Sequence, residues 1–475
     1  MITAILPEIA LLVLAGIVLF TDLFLPQERK RALGWLIAIG LVAILFVSMF
    51  YARPTGESEL IWGGMLRDDW LSFVFRMIFI FGAAVTVLFS IGIEILERKG
   101  EFYILLLAST LGMNLMASSA NLIMLYLAIE TTSIPLYVLA GFLKGDDKSV
   151  ESGFKYLLFG AFTSTIMLYG FSLLYGMAGS ADIYQLAISI KAGEIPAGML
   201  VVSLFLVLIG FGFKVSIVPL HFWAPDVYEG APTPIAGFLS TASKAAGFAV
   251  LVRVLLAVFP DVASIWSTLA TILAVASMTL GNTLALAQKN IKRMLAYSSI
   301  AHAGFILMGV AAVTEFGITS VVFYLGAYLL SNLAAFGVVA IFWRVVGSDE
   351  IEAYAGLSRR KPWLALAMLV ALFSLAGMPP LGGFMGKFLV FAAAVDAGLI
   401  WLAVIGVLNA IIGLYYYLIV LKFVYLKRSD DEDKPLPISS ASAIALAVCV
   451  IGIVLVGTVL GPWFNWSEIA ASALF

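Results

Sequence analysis

The sequence predicts an all-α, polytopic membrane protein of about fourteen transmembrane helices, built as two inverted five-helix repeats in which helices 7 and 12 are discontinuous. Three observations carry that expectation. Of 475 residues, 63% are hydrophobic and only 12% are charged, against roughly 25% charged in soluble domains. Apolar runs of about 20 residues, the length that crosses a bilayer as a helix, succeed one another along the whole chain. Two of these runs are too long for one straight helix and carry proline near their middle, Pro219 in one, Pro379 and Pro380 in the other. Proline removes a helix hydrogen bond and breaks the rod.

The runs fall at about 3–24, 33–51, 71–95, 102–118, 121–143, 153–177, 198–229, 234–259, 264–288, 294–313, 317–346, 362–398, 400–426 and 439–462. The first lacks a basic leader and a small-residue cleavage site, so it reads as a retained helix rather than a signal peptide. Residues 1–100 form helices 1–3, 101–260 the first five-helix repeat, 261–430 the second, and 431–475 a C-terminal transmembrane helix. Lysine and arginine crowd one set of loops (Arg29, Lys30, Arg31; Arg98, Lys99; Lys144, Lys148; Lys289, Lys292, Arg293; Arg344, Arg359, Arg360, Lys361; Lys422, Lys427, Arg428, Lys434), while the opposite set holds Arg53, Arg67 and Lys191. The basic side faces the cytoplasm, which leaves both termini outside it.

A faint repeat sets the architecture. Ser133-Ile134 recurs as Ser299-Ile300, and Gly160-Ala161-Phe162 as Gly326-Ala327-Tyr328, both offset by 166 residues; Pro219-Leu220 recurs as Pro380-Leu381, offset by 161. The matches map spans four to eight onto nine to thirteen. Five is odd, so the second copy must be inverted in the membrane, an arrangement that puts broken helices and ion sites near the midplane.

The ionisable residues inside the spans indicate chemistry. A lysine at mid-bilayer depth costs about 2.5–3.5 kcal/mol on insertion scales and therefore faces protein or water and has a task. Glu130, Lys214, Lys244 and His302 lie centrally in spans five, seven, eight and ten, and Lys387 lies just beyond the break in span twelve. Burial disfavours an ammonium and a nearby carboxylate favours it, so a Glu–Lys pair whose separation changes can load and release a proton. Glu130 and Lys214 also fit a static ion pair, although such pairs stabilise poorly. Lys155, near the inner end of its span, fits either a relay or a snorkelling side chain. His221 comes just after the break, where relaying a proton and capping freed backbone are both open roles. Arg76 and Arg253 read as interface anchors or interhelix pairs, Asp226 and Glu229 as structural residues at the inner surface, and the methionines and scattered aromatics as lipid-facing or core filler.

One cysteine, two histidines and no CxxC motif leave nothing to hold a haem or an iron–sulfur cluster, so the chain is expected to carry no electrons. The formal net charge of −2 argues against a nucleic-acid partner.

FKVSIVPLHFWAPDVYEGAPTPIAGFLSTASKAAGF, QKNIKRMLAYSSIAHAGF, SLAGMPPLGGFMGKF and FKYLLFGAFTSTIMLYGFSLLYG resemble the antiporter-like subunits of proton-pumping NADH–quinone oxidoreductase, respiratory complex I. The DVYEGAPTP loop, the LKGDDKSVESGFKYLLFGA junction and the lack of a long lateral helix favour the subunit N branch. The resemblance covers roughly spans three to thirteen. It implies a proton-translocating subunit of a bacterial plasma membrane with no cofactor of its own, FMN, iron–sulfur clusters and quinone belonging to partner subunits. Its partners would be other membrane-arm subunits, including paralogous antiporter-like ones, together with lipid and protons. It implies a relay in which Glu130 is the helix-five glutamate, Lys214 its partner, Lys155 and Lys244 connecting lysines and Lys387 the outer residue, with His221 and His302 along the polar axis. A cation–proton antiporter subunit of the Mrp type is the first rival, and a purely structural membrane arm the second.

Overall fold

The computed structural model describes residues 3–26, 29–56 and 58–475. The chain opens with α1 (Leu6–Phe24) and α2 (Arg31–Tyr51), then a hairpin of β1 (Glu59–Ile61) and β2 (Leu66–Asp68) pairing Leu60 with Arg67. These three-residue strands are the departure from the all-α expectation. After α3 (Trp70–Ser90) and the single turn α4 (Glu94–Glu97) come α5 (Gly100–Ser118), α6 (Leu122–Ala140), the long α7 (Asp147–Ala178) and the short α8 (Ile183–Lys191). Next are α9 (Ala197–Val215), α10 (Trp223–Gly230), α11 (Thr233–Phe238) and α12 (Lys244–Val258), the last two joined by a π turn over Leu239–Ser243. The second half runs through α13 (Ala263–Leu286), α14 (Ile291–Ala311), the long α15 (Glu315–Val346), α16 (Leu357–Arg360), α17 (Pro362–Ala376), α18 (Gly382–Asp396) and α19 (Ile400–Tyr425). It ends with α20 (Ser440–Thr458) and α21 (Leu460–Ser472), which packs against α3 and α15.

Side-chain oxygens start the helices where the sequence offers them. Asp69 and Ser72 form a reciprocal capping box on α3, and Asn121, Asp146, Asn290, Thr314 and Ser439 cap α6, α7, α14, α15 and α20. Each satisfies first-turn N–H groups that have no helical acceptor. Thirteen helices among the described residues are long and apolar enough to cross a membrane. The fourteenth expected span is divided between α17 and α18, fifteen residues each, so neither half reaches spanning length by itself.

The two breaks have the same construction. At the first, Ser216 takes a left-handed conformation (φ 57°) and Ile217 N–H donates back to Gly212 O at 3.0 Å. At the second, Gly377 (φ 87°) does the same and Met378 N–H donates to Phe373 O at 2.9 Å. A left-handed residue and the six-to-one hydrogen bond after it close a helix while satisfying an end carbonyl. Serine hydroxyls take up further freed backbone: Val218 N–H donates to Ser277 Oγ at 3.0 Å, and Gly383 N–H to Ser374 Oγ at 3.0 Å.

Burial divides the bundle. The spans Trp70–Ser90, Thr233–Val258, Ile291–Ala311 and Glu315–Val346 are almost wholly enclosed, whereas α1, α2, α7, α19 and α20 turn one apolar face outward. A helix apolar all round is one that is buried all round. Arg76 and Arg253 are fully enclosed and make interhelix pairs rather than anchoring at an interface. Arg76 holds Glu8 at 2.8 Å and the Ala4 carbonyl at 2.9 Å. Arg253 forks onto Asp69 at 2.7 and 2.9 Å and reaches the Ala117 carbonyl. Together they fasten the N-terminal helices to the centre. The single cysteine, Cys449, is buried in α20.

Candidate functional site

The enclosed helices carry a line of cations whose partners are neutral oxygens. Lys214, in the last turn of α9 just before the first break, donates to Ser133 Oγ on α6. Lys244, the first residue after the π turn, donates to the hydroxyl and carbonyl of Ser299 on α14, at 2.9 and 3.0 Å. Lys387, on α18, donates to the carbonyls of Leu375 and Ala376 at 2.9 and 3.0 Å and lies 4.8 Å from the centre of the Phe305 ring. Those two carbonyls end α17 and lose their helical partners at the break, so the lysine serves them as a cap. All three lysines are buried, and among the described residues none pairs with a carboxylate.

Glu130 does not touch Lys214. Its Oε1 accepts from Ser164 on α7, while the lysine uses Ser133, one helical turn along α6. The static ion pair that sequence left open is therefore absent: the two groups share a helix region and are held by separate serines. The sequence reading places both centrally in their spans, but position along a helix does not fix which face a residue occupies.

His302 is buried on α14 one turn from Ser299. Its Nδ1 lies 2.8 Å from the Tyr324 hydroxyl and its Nε2 3.2 Å from that of Tyr417, which in turn bonds Ser298. Tyr328 lies over the imidazole with ring centres 4.9 Å apart. The ring of Tyr324 packs against Gly386, whose place a Cβ would fill at 2.5 Å, beside Lys387. Tyrosines that read as filler in the sequence thus link His302 to the neighbourhood of Lys387. His221 is buried within the first break, stacked on Phe222, and its Nδ1 has no partner.

Lys155 stands apart from this line. It is about one-third exposed and pairs with Asp226 at 2.5 Å and Glu151 at 2.6 Å. Asp226 and Glu229 share Arg293 at 2.8 Å each, and Lys148 holds Glu229 at 2.7 Å. Beside this network Lys292 pairs with Asp349 at 2.9 Å, at a cavity of about 70 Å³ that Asp146, Thr233 and Trp343 also line. Burial pushes the Asp349 carboxyl above the ordinary aspartate range although Lys292 opposes it. Asp226 and Glu229, read from sequence as structural, are the centre of an ion network that ties α7, α10 and α14 together.

Sequence reasoning missed Ser133, Ser299, Tyr324 and Tyr417. The first two carried a signal: they are the matched serines of the repeat, 166 residues apart, and each holds one of the buried lysines. The tyrosines carried none, because a buried tyrosine bonded to histidine and one packed as filler look alike in sequence.

The comparisons with known proteins agree. Residues 119–413 match the family described as NADH:quinone oxidoreductase/Mrp antiporter, transmembrane region. NADH-quinone oxidoreductase subunit N of Trichlorobacter lovleyi is 44% identical over 434 residues, spanning 90% of this chain and 88% of that one. A chain of respiratory complex I from Thermus thermophilus, solved with bound aureothin, superposes with a TM-score of 0.80 at 33% identity, covering 97% of this chain and 98% of that one. A chain of the Mrp complex from Dietzia sp. superposes with a TM-score of 0.84 at 21% identity, covering 98% and 97%, a likeness that shows the fold alone. The chain belongs to the NADH:quinone oxidoreductase/Mrp antiporter family of membrane subunits, in its subunit N branch.

Proposed function

We propose that this chain is a membrane-arm subunit of a complex I-type NADH:quinone oxidoreductase that translocates protons along Glu130, Lys214, Lys244, His302 and Lys387. The carrying observation is three buried lysines held by hydroxyl and carbonyl oxygens alone. A buried ammonium without a counter-anion is costly, and an arrangement serving stability alone would pair or replace it. Tyr324 and Tyr417 extend the line from His302, and His221 lies beside its first break. Lys155, with Asp226, Glu229 and Arg293, forms the ionised mouth on the basic side of the membrane.

In this reading the chain spans a bacterial plasma membrane fourteen times, with α9–α10 and α17–α18 as the discontinuous spans of two inverted repeats, 101–260 and 261–430. Helices 1–3 precede them in residues 1–100, the last span lies in 431–475, and both termini are outside the cytoplasm. The translocase activity belongs to the assembly. FMN, iron–sulfur clusters and quinone reside in partner subunits, and paralogous antiporter-like subunits are the expected neighbours. The matched breaks at Ile217 and Met378 support the repeat, and the subunit N relatives support the assembly. The free-standing antiporter reading has less support, because its structural likeness is below a quarter in identity.

The test is Lys244→Met in the assembled complex, reconstituted into sealed vesicles. The expected result is a normally assembled complex that moves fewer protons per electron delivered to quinone. Parent stoichiometry in that variant overturns the reading.

A further inference from the structure

The π turn between α11 and α12 lies directly before Lys244. A π turn holds one residue more than the α turn it replaces and is poorly stable by itself. Rewinding Leu239–Ser243 into an α-helix would pass the extra residue along the chain and swing α12 by about 100°. The half before the turn is fixed. Pro232 and Pro234 set its start, and Gly237 lies so close to α15 that a Cβ would meet Phe336 Cβ at 3.1 Å. Further along, α12 is held too, by Arg253 on Asp69 and by Gly247, where a Cβ would meet Val215 Cγ1 at 2.8 Å. The misfit therefore falls on the residues between the two fixed parts, and Lys244, first after the turn, is the one displaced from Ser299.

A side-chain hydrogen bond reaches the turn from α15. Asn332, on α15 and wholly buried, donates from Nδ2 to Ser240 Oγ at 2.6 Å and to the Tyr328 hydroxyl at 3.0 Å. Ser240 in turn donates to the Gly237 carbonyl at 2.8 Å. Tyr328 is the ring that lies over His302. A single amide thus grips the turn that aims Lys244 and the ring that packs His302, and Ser299 and His302 are one turn apart on α14. Both of its contacts are made through Nδ2.

We propose that Asn332 is a positioning residue that keeps the Leu239–Ser243 π turn wound and so holds Lys244 against Ser299, in line with His302. The inference rests on the proton-relay reading of this chain, and the experiment keeps the two separable. Asn332→Leu, Ser240→Ala, the double variant and Ser240→Thr are compared with Lys244→Met in the reconstituted complex, reading protons moved per electron beside the abundance of assembled complex. Ser240→Ala is expected to disfavour the wound turn about fivefold, the fold-change of one net hydrogen bond of about 1 kcal/mol, and so to lower the proton ratio; Asn332→Leu, which also removes the bond to Tyr328, is expected to lower it at least as far. The double variant is expected to fall no further than Asn332→Leu, because the bond between Asn332 and Ser240 is already absent there. Ser240→Thr, which keeps the acceptor, restores most of the pumping. Additive losses, a parent-like ratio in the single variants, or loss of assembly in both of them would overturn the proposal. Where Asn332→Leu alone fails to assemble, Ser240→Ala against Ser240→Thr decides it. A defect in Lys244→Met with parent-like Asn332→Leu and Ser240→Ala removes the positioning role and leaves the relay; a parent-like Lys244→Met removes the relay itself.

Discussion

Replacing Lys387 by methionine and by arginine separates the capping role its contacts give it from the relay role proposed for it. As a cap, it satisfies the Leu375 and Ala376 carbonyls at the end of α17. As a relay group, it must release a proton. Hydrogen bonds to charged groups contribute about 1.5–3 kcal/mol each, so methionine forfeits about 3–6 kcal/mol of capping. It also relieves the burial of an unpaired ammonium, a cost of several kcal/mol. The two nearly offset, and the expected net loss is about 1–2 kcal/mol: a modest fall in assembled complex with pumping abolished at this step. Arginine keeps the charge and the donors but holds its proton at any workable pH. Its expected phenotype is near-parent abundance with few protons moved per electron. Quantifying the assembled complex in membranes and measuring proton uptake against quinone reduction in vesicles reads both roles. Arginine pumping at the parent ratio would refute the reasoning, since no proton would then need to leave position 387.

Glu130→Gln is expected to keep full abundance and to lower protons per electron, with Glu130→Asp milder, because Glu130 and Lys214 bond separate serines; low abundance with a normal ratio in the surviving complex would contradict this. Ser299→Ala removes one of the two acceptors of Lys244, a hydrogen bond to a charged group of about 1.5–3 kcal/mol, and is expected to slow pumping by about tenfold or more, which a rate equal to the parent's would exclude. Burial pushes the Asp69 carboxyl up, but the charge and hydrogen bonds of Arg253, the Ser72 N–H and Arg67 outweigh it and hold it below its ordinary 3.8. A carboxyl depressed in the folded protein contributes stability that is complete above its ordinary value and is lost as pH falls through the folded one. Thermal midpoints measured from pH 7 to pH 3 should therefore fall more steeply on the acid side in the parent than in Asp69→Asn, and parallel curves would rule the pair out as the source. At neutral pH Arg253→Met, which strands Asp69, should cost about 3–5 kcal/mol and appear as lost assembly; stability equal to the parent's would contradict it.

What was legible in the sequence was whatever is local. Span positions come from hydropathy, and the breaks at Pro219 and Pro380 come from proline chemistry. The mid-depth lysines stand out because each is expensive where it sits. Sequence gives height along a helix but not rotation about it, which is why Glu130 and Lys214 looked like a pair and are not one. Lys155 shows the same limit from the other side: its partner Asp226 is 71 residues away, and only the packing of α10 on α7 brings the two together. The π turn had no legible signature, since Leu239–Ser243 would read equally well as α-helix. The hairpin of β1 and β2 was too short for any alternation to register.

That the buried lysines are clasped by neutral oxygens has an electrical consequence. A lysine locked to a carboxylate is a dipole, and its rearrangement moves little net charge across the bilayer. A lysine on serine or carbonyl oxygens gains and loses a whole elementary charge. Across a membrane held at about 100 mV, a full crossing is worth about 2.3 kcal/mol, so a step to mid-depth works against about half of that. This approaches the lower end of the about 1.5–3 kcal/mol of a hydrogen bond to a charged group, such as Lys244 makes with Ser299. The voltage that pumping builds therefore acts back on the same contacts, and the chain should slow under its own load rather than leak.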